Sequence, residues 1–134
     1  MQTRTNPKAW CVQEIVNPDN KWETIGKIML ISYMRKEEVP HLEFYISDKF
    51  KHLRGKGIMS REVTRYLKHC KKWGHNRLLA IAKEDNIASQ KILDANSFVR
   101  ISKIDDNYCY MTDLNFSREK VNKMVSLIKR NFPD

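Results

Sequence analysis

Apolar and polar positions change period several times along this chain, and each change marks an element. Trp10-Cys11-Val12-Gln13-Glu14-Ile15-Val16 is β-rich with loose alternation, which predicts a strand after an unstructured start at residues 1–9. Asn17-Pro18-Asp19-Asn20 is turn chemistry, and residues 24–33 predict a second strand, so the two make a hairpin. Residues 34–40 read as a charged loop. Alternation then returns over residues 41–47, with Leu42, Phe44 and Ile46 on one face and His41, Glu43 and Tyr45 on the other. Next the period lengthens: Met59, Val63, Tyr66, Leu67, Cys70 and Trp73 recur at helical spacing. They predict a helix over residues 57–73 with these side chains as its buried stripe and Gly74 as its left-handed stop.

Residues 77–82 form a continuous apolar run, expected to be a central strand parallel to the third because a crossover helix separates them. Asn86 is placed to cap a second helix reaching about residue 96, with Ala88, Ile92 and Ala95 or Leu93 facing inward. Residues 98–104 and 108–114 predict a closing hairpin over Asp105-Asp106-Asn107. Ser117 caps a last helix, residues 117–131, with Val121, Met124, Ile128 and Phe132 as its apolar stripe. The resulting fold class is α+β around a mixed sheet with one βαβ crossover, in a single domain over residues 1–134.

Composition narrows the picture further. With 41% hydrophobic and 31% charged residues the chain is a globular one, and no apolar run approaches the roughly 20 residues a membrane span needs. The polar N-terminus lacks the apolar core of a signal peptide, so a cytoplasmic location is expected. Three cysteines, Cys11, Cys70 and Cys109, without paired spacing fit free buried thiols better than a disulfide framework or a zinc site, and no metal is expected. The formal charge of +9 favours a polyanionic partner, either nucleic acid or a multiply phosphorylated cofactor. A plain solvated basic surface is the third reading.

The stretch that organises the chemistry is residues 44–59: an apolar strand, a basic glycine loop, then the start of the long helix. Amides in such a loop have no partners of their own, and the helix dipole adds positive charge beside them. Gly55 and Gly57 let the main chain approach a phosphate, and Arg54 and Lys56 add charge, so the loop is read as a holder for a pyrophosphate. It lacks the two glycines five apart, followed by Lys and Ser or Thr, of a P-loop. A dinucleotide fingerprint needs Gly or Ala where Ser60 stands and an acidic end to the next strand, where Lys83 stands.

A third pattern does fit. His52-Leu53-Arg54-Gly55-Lys56-Gly57 resembles the pyrophosphate loop of the GCN5-related N-acetyltransferase (GNAT) superfamily, which reads Gln or Arg, two residues, Gly, any residue, Gly or Ala. Asn86-Ile87-Ala88-Ser89, followed by Ser97-Phe98, is similar to that family's second signature. The likeness spans residues 10–114 and leans toward the ribosomal-protein N-terminal acetyltransferases, with residues 117–131 as an added helix. Departures are His52 for Gln or Arg, Ser97 for Gly, and Leu93 where many members carry a thiolate-protonating tyrosine. The left-handed turn of the second signature is expected at Asn96. The family's usual N-terminal strand and helices are missing, and the last helix or a second subunit is expected in their place.

The resemblance implies direct attack of a primary amine, on a small molecule or at a protein N-terminus or lysine, on the thioester of acetyl-CoA. It implies cofactor contacts from His52, Leu53, Arg54, Gly55, Lys56, Gly57, Ile58 and Met59, chiefly through amides 54–59. The pantetheine arm would run along the main chain at Tyr45 and Ile46, whose amides could polarise the carbonyl. Asn86 and Ser89 would also contact the cofactor. Glu43 and His41 are the candidate bases, with Ser89 or water returning a proton to sulfur. Plainer readings stand beside these: Glu43 as a cross-strand partner of a lysine, and His41 as an exposed strand end. Arg61, Arg65, Lys68, Lys71 and Lys72 read as a solvated face, Trp10, Trp22 and Trp73 as packing residues, and His69 and His75 as surface residues. The rival functions are a CoA-binding regulator or scaffold, and a basic module contacting RNA or ribosomes. A homodimer is left open.

Overall fold

The computed structural model describes residues 8–32 and 39–131. Most of the expected charged loop and Phe132 lie outside the described residues. Among the described residues there are six strands and three α-helices, in the order the sequence predicts, so the architecture is α+β. The chain divides into two compact units, Met1–Tyr66 and Leu67–Asp134, with the division inside the long helix.

The first unit is an antiparallel meander of β1 (Lys8–Asn17), β2 (Asn20–Ser32) and β3 (His41–Ile46). Asn17 closes the first turn by accepting the Asp19 amide on its side chain, 2.9 Å away. Ile15, Ile25, Ile28, Leu30, Leu42 and Ile46 form its buried face. Gly26 is required in β2, because a Cβ there would overlap the carbonyl oxygen of Tyr45 on β3. Register shifts between Trp10 and Gln13, where Cys11 adopts φ 52°. This bulge turns the Cys11 carbonyl to accept the Tyr66 hydroxyl at 2.6 Å. After β3 a 3-10 segment (Asp48–Leu53) is pinned by buried Phe50 and Leu53, and helix α1 (Ile58–Lys72) begins.

Two tryptophans depart from the packing role expected of them. Trp22, just after the first turn, is 97% exposed. Trp73 is 49% exposed although its amide still donates to the His69 carbonyl at 2.9 Å; it is the last residue before the chain turns away through Gly74 (φ 89°). Of the three thiols only Cys70 is fully buried; Cys11 and Cys109 are half-buried, and among the described residues none is in a disulfide.

The second unit holds β4 (Arg77–Lys83), α2 (Ile87–Ala95), β5 (Val99–Ile104), β6 (Asn107–Asp113) and α3 (Arg118–Asn131). Here β6 lies between β4 and β5, antiparallel to both. Leu78, Ala80 and Ala82 of β4 are buried, whereas Ile81 on the other face is 55% exposed, so this strand alternates more than its apolar run suggests. Helix α2 turns inward along Gln90 and Leu93, leaving Ala88 and Ala95 exposed. The shift has a polar cause: Gln90 Nε2 donates to the carbonyls of Lys83 and Glu84 at 2.9 and 3.1 Å, and that fixes the helical phase.

The left-handed residue after α2 is Ser97 (φ 67°), with Asn96 at φ −108°, so the expected shift of the turn onto Asn96 does not occur. The Phe98 amide donates to the Leu93 carbonyl at 3.0 Å, and Thr112 Oγ1 donates to the Ser97 carbonyl at 2.9 Å. Together they hold position 97 in the wrapped-back geometry. Helix α3 starts with Ser117 Oγ accepting the Lys120 amide at 3.2 Å. Its Val121 and Val125 pack with Val99 of β5, flanked by Ile101, Met111 and Met124. No helix among the described residues is long and apolar enough to cross a membrane.

Candidate active site

The glycine loop is built by a clip at its base. Arg54 sends its guanidinium back to the end of β3, donating to the Ile46 carbonyl at 2.6 Å and to Asp48 at 2.8 Å. The Arg54 amide closes the 3-10 segment by donating to the Lys51 carbonyl at 3.1 Å. The sequence assigns both groups to the anion; in the fold they shape the loop instead. Beyond Arg54 the chain reverses through Gly55 (φ 78°) and Gly57 (φ 80°), a conformation that L side chains adopt at a cost. A Cβ on Gly55 would meet nothing within 4 Å, so glycine is needed there for backbone freedom and the space in front of it is open.

The first helical bond of α1 runs from the Arg61 amide to the Gly57 carbonyl at 3.1 Å. Consequently the amides of Gly55, Lys56, Gly57, Ile58, Met59 and Ser60 have no acceptor among the described residues. The first turn of α1 carries no acidic side chain to compete for them. Residues 55–57 are exposed, while the side chains of Ile58 and Met59 are buried and anchor the helix start. Lys51, His52 and Lys56 are exposed around the loop. This is the electrostatic and hydrogen-bonding character of an anion site. The run starts one residue later than the sequence indicated and includes Ser60.

On β3, His41, Glu43 and Tyr45 share the face opposite Leu42 and Ile46, as the alternation predicts. They lie across from Ile31, Met29 and Lys27 of β2. Glu43 is exposed, and among the described residues it makes no ion pair, so the cross-strand lysine reading does not hold. The Ser47 amide donates to the Ile25 carbonyl at 2.8 Å. Antiparallel alternation then directs the Tyr45 main chain at β2 and turns the Ile46 amide away from it. The Ile46 amide, rather than that of Tyr45, therefore lies on the edge of β3 away from β2.

In the second unit Asn86 is the N-cap of α2, its Oδ1 accepting the Ser89 amide at 3.1 Å. That leaves the two Nδ2 hydrogens of Asn86 and the Ser89 hydroxyl without partners among the described residues. Leu93 is 1% exposed and offers no proton. Among the described residues no group of three or more His, Cys, Asp or Glu side chains could hold a metal. Sequence reasoning missed the Arg54–Asp48 clip and the Gly26 approach, since neither leaves a periodic signal.

Residues 1–99 match the acetyltransferase (GNAT) domain family. None of the curated proteins matches the chain. Among solved structures, a ribosomal-protein-S5-alanine acetyltransferase from Vibrio fischeri is 20% identical with a TM-score of 0.63, over 75% of this chain and 59% of that one. A GNAT-family acetyltransferase from Bacillus anthracis is 16% identical with a TM-score of 0.63, over 78% and 67%. A ribosomal L7/L12 alpha-N-protein acetyltransferase is 18% identical with a TM-score of 0.53, over 69% and 63%. These identities speak to the fold alone, and the chain spans 59% of the Vibrio fischeri protein's length. The family match covers most of the chain and contains both the loop at 55–60 and the capped turn at Asn86: the chain belongs to the GNAT acetyltransferase family.

Proposed function

We propose that this domain moves an acetyl group from acetyl-CoA to a primary amine, on a small molecule or at a protein N-terminus or lysine. The observation that carries the reading is the row of six unshared amides at Gly55–Ser60 on a helix start without carboxylates. A diphosphate suits such a row: the donors are consecutive, and glycines at two positions keep side chains out of the way. Lys51 and Lys56 add attraction from the surface.

Acetyl-CoA supplies an acyl group already activated as a thioester. The chain's own residues then have positioning and proton-handling tasks. Amides 55–60 hold the diphosphate, His52 flanks it, and buried Leu53, Ile58 and Met59 fix the loop. Arg54 and Asp48 keep the loop tied to the end of β3. The Ile46 amide is the donor for the pantetheine arm or the thioester carbonyl, with Tyr45 beside it, and Asn86 donates through Nδ2. Glu43 takes a proton from the amine, directly or through water, with His41 as the alternative base. Ser89 Oγ or water returns a proton to the departing sulfur.

A second reading, CoA binding without transfer, is favoured by the apolar Leu93 at the position of the family's proton donor. Calorimetry with acetyl-CoA, followed by thiol release over a panel of amines and peptides, separates the two. Thiol release dependent on an amine supports transfer; tight binding with no release from any acceptor supports the second reading; no binding removes both.

A further inference from the structure

The C-terminal end of α1 carries charge and aromatic surface for which the acetyl-CoA reading has no use. Lys68, His69, Lys71 and Lys72 are exposed, and residues 68–77 contain no Asp or Glu. Among the described residues Lys68, Lys71 and Lys72 make no ion pair. Immediately after them the Trp73 indole lies at the surface, stacked on His69 with ring centroids 5.7 Å apart and planes 23° from parallel. The helix dipole accounts for cations in a last turn. It gives no reason for a half-exposed indole, the side chain that gains most from burial.

We propose that this end of α1 docks a single-stranded nucleic acid. Three ammonium groups within five residues suit a phosphate backbone, and the paired rings of His69 and Trp73 suit an unpaired base. A duplex would offer no open base face to the rings. An acidic protein segment would use the lysines and leave the ring pair idle. The exposed aromatic surface is one ring pair inside a cationic field, which favours a stacked base over a lipid surface. The proposal does not rest on the acetyl-CoA reading.

The test is fluorescence anisotropy of a labelled oligouridine of about 12 nucleotides with the full chain, titrated with salt. Three phosphate contacts predict a log–log salt slope of about −2, or affinity about fifteenfold weaker between about 50 and about 200 mM salt. Replacing Lys68, Lys71 and Lys72 together with Ala flattens that slope. Trp73→Ala lowers affinity about tenfold without changing the slope, and Trp73→Phe restores most of the loss. Circular dichroism and a thermal melt of each variant show that the fold persists. The proposal is overturned by no binding at low salt, by indifference to Trp73→Ala, by equal binding to a duplex, or by variants that lose only anionic phospholipid vesicles. Displacement of the oligonucleotide by saturating acetyl-CoA also overturns it, since that places the contact at the glycine loop.

Discussion

Gly55 separates what the loop needs for folding from what it needs for binding. The residue sits at φ 78°, and a Cβ added there would meet nothing within 4 Å. Gly55→Ala therefore introduces backbone strain of about 1–2 kcal/mol and no clash. In a chain of 134 residues that lowers the melting temperature by a few degrees, on the order of 3–6 °C. Gly55→Trp carries the same backbone strain, and its Cβ likewise meets nothing within 4 Å, so both variants are expected to melt close together. Their ligand binding diverges. The indole would stand in front of amides 55–60, and denying a diphosphate even two charge-assisted bonds removes about 3 kcal/mol or more. That is about a hundredfold in Kd for acetyl-CoA, whereas Gly55→Ala leaves the amides in reach and weakens binding only severalfold. Calorimetry and a thermal melt on the three proteins decide the matter. Gly55→Trp that melts like Gly55→Ala and binds acetyl-CoA within threefold of the unmodified chain would falsify the loop assignment.

Other expectations follow from single contacts. Ser97→Gly relieves a left-handed serine and raises stability by about 1 kcal/mol, seen as a melting temperature a few degrees higher; a fall would mean that the Ser97 side chain matters more than its backbone. Gly26→Ala drives a methyl group into the Tyr45 carbonyl and lowers stability by about 3 kcal/mol or more in urea unfolding. Arg54→Ala opens the clip at Ile46 and weakens acetyl-CoA binding by about tenfold, while Asp48→Ala, removing a 97% exposed carboxylate, moves the melting temperature by no more than about 1 °C. Glu43→Gln lowers kcat by about a hundredfold with Kd for acetyl-CoA unchanged; an unaltered kcat moves the base elsewhere on β3.

Much of the fold was legible because its signals are local. Asn17-Pro18-Asp19-Asn20, Gly74, Asn86 and Ser117 each act within one turn of chain, and each marks an element end where expected. The alternation over β3 likewise places Glu43 and Tyr45 opposite Leu42 and Ile46. What escaped depends on partners distant in sequence. Gln90 sets the phase of α2 through carbonyls at Lys83 and Glu84, so Ala88 and Ala95, apolar and correctly spaced, face outward. Ser97 stays left-handed although asparagine precedes it, because Thr112 on β6 holds its carbonyl. Trp73 keeps the helical spacing of the buried stripe, yet it stands at the very end of α1 and its indole is half-exposed. At the site, the glycines announced the loop, but the diversion of Arg54 to Ile46 needed the fold to be seen.

The most direct test reads the loop amides themselves. With four glycines in the chain, their amide resonances form a small resolved set in a nitrogen–proton correlation spectrum. On titration with acetyl-CoA, Gly55 and Gly57 should shift strongly while Gly26 and Gly74 hold still, and pantetheine lacking the diphosphate should move neither loop glycine. Saturation that leaves Gly55 and Gly57 in place would contradict the account.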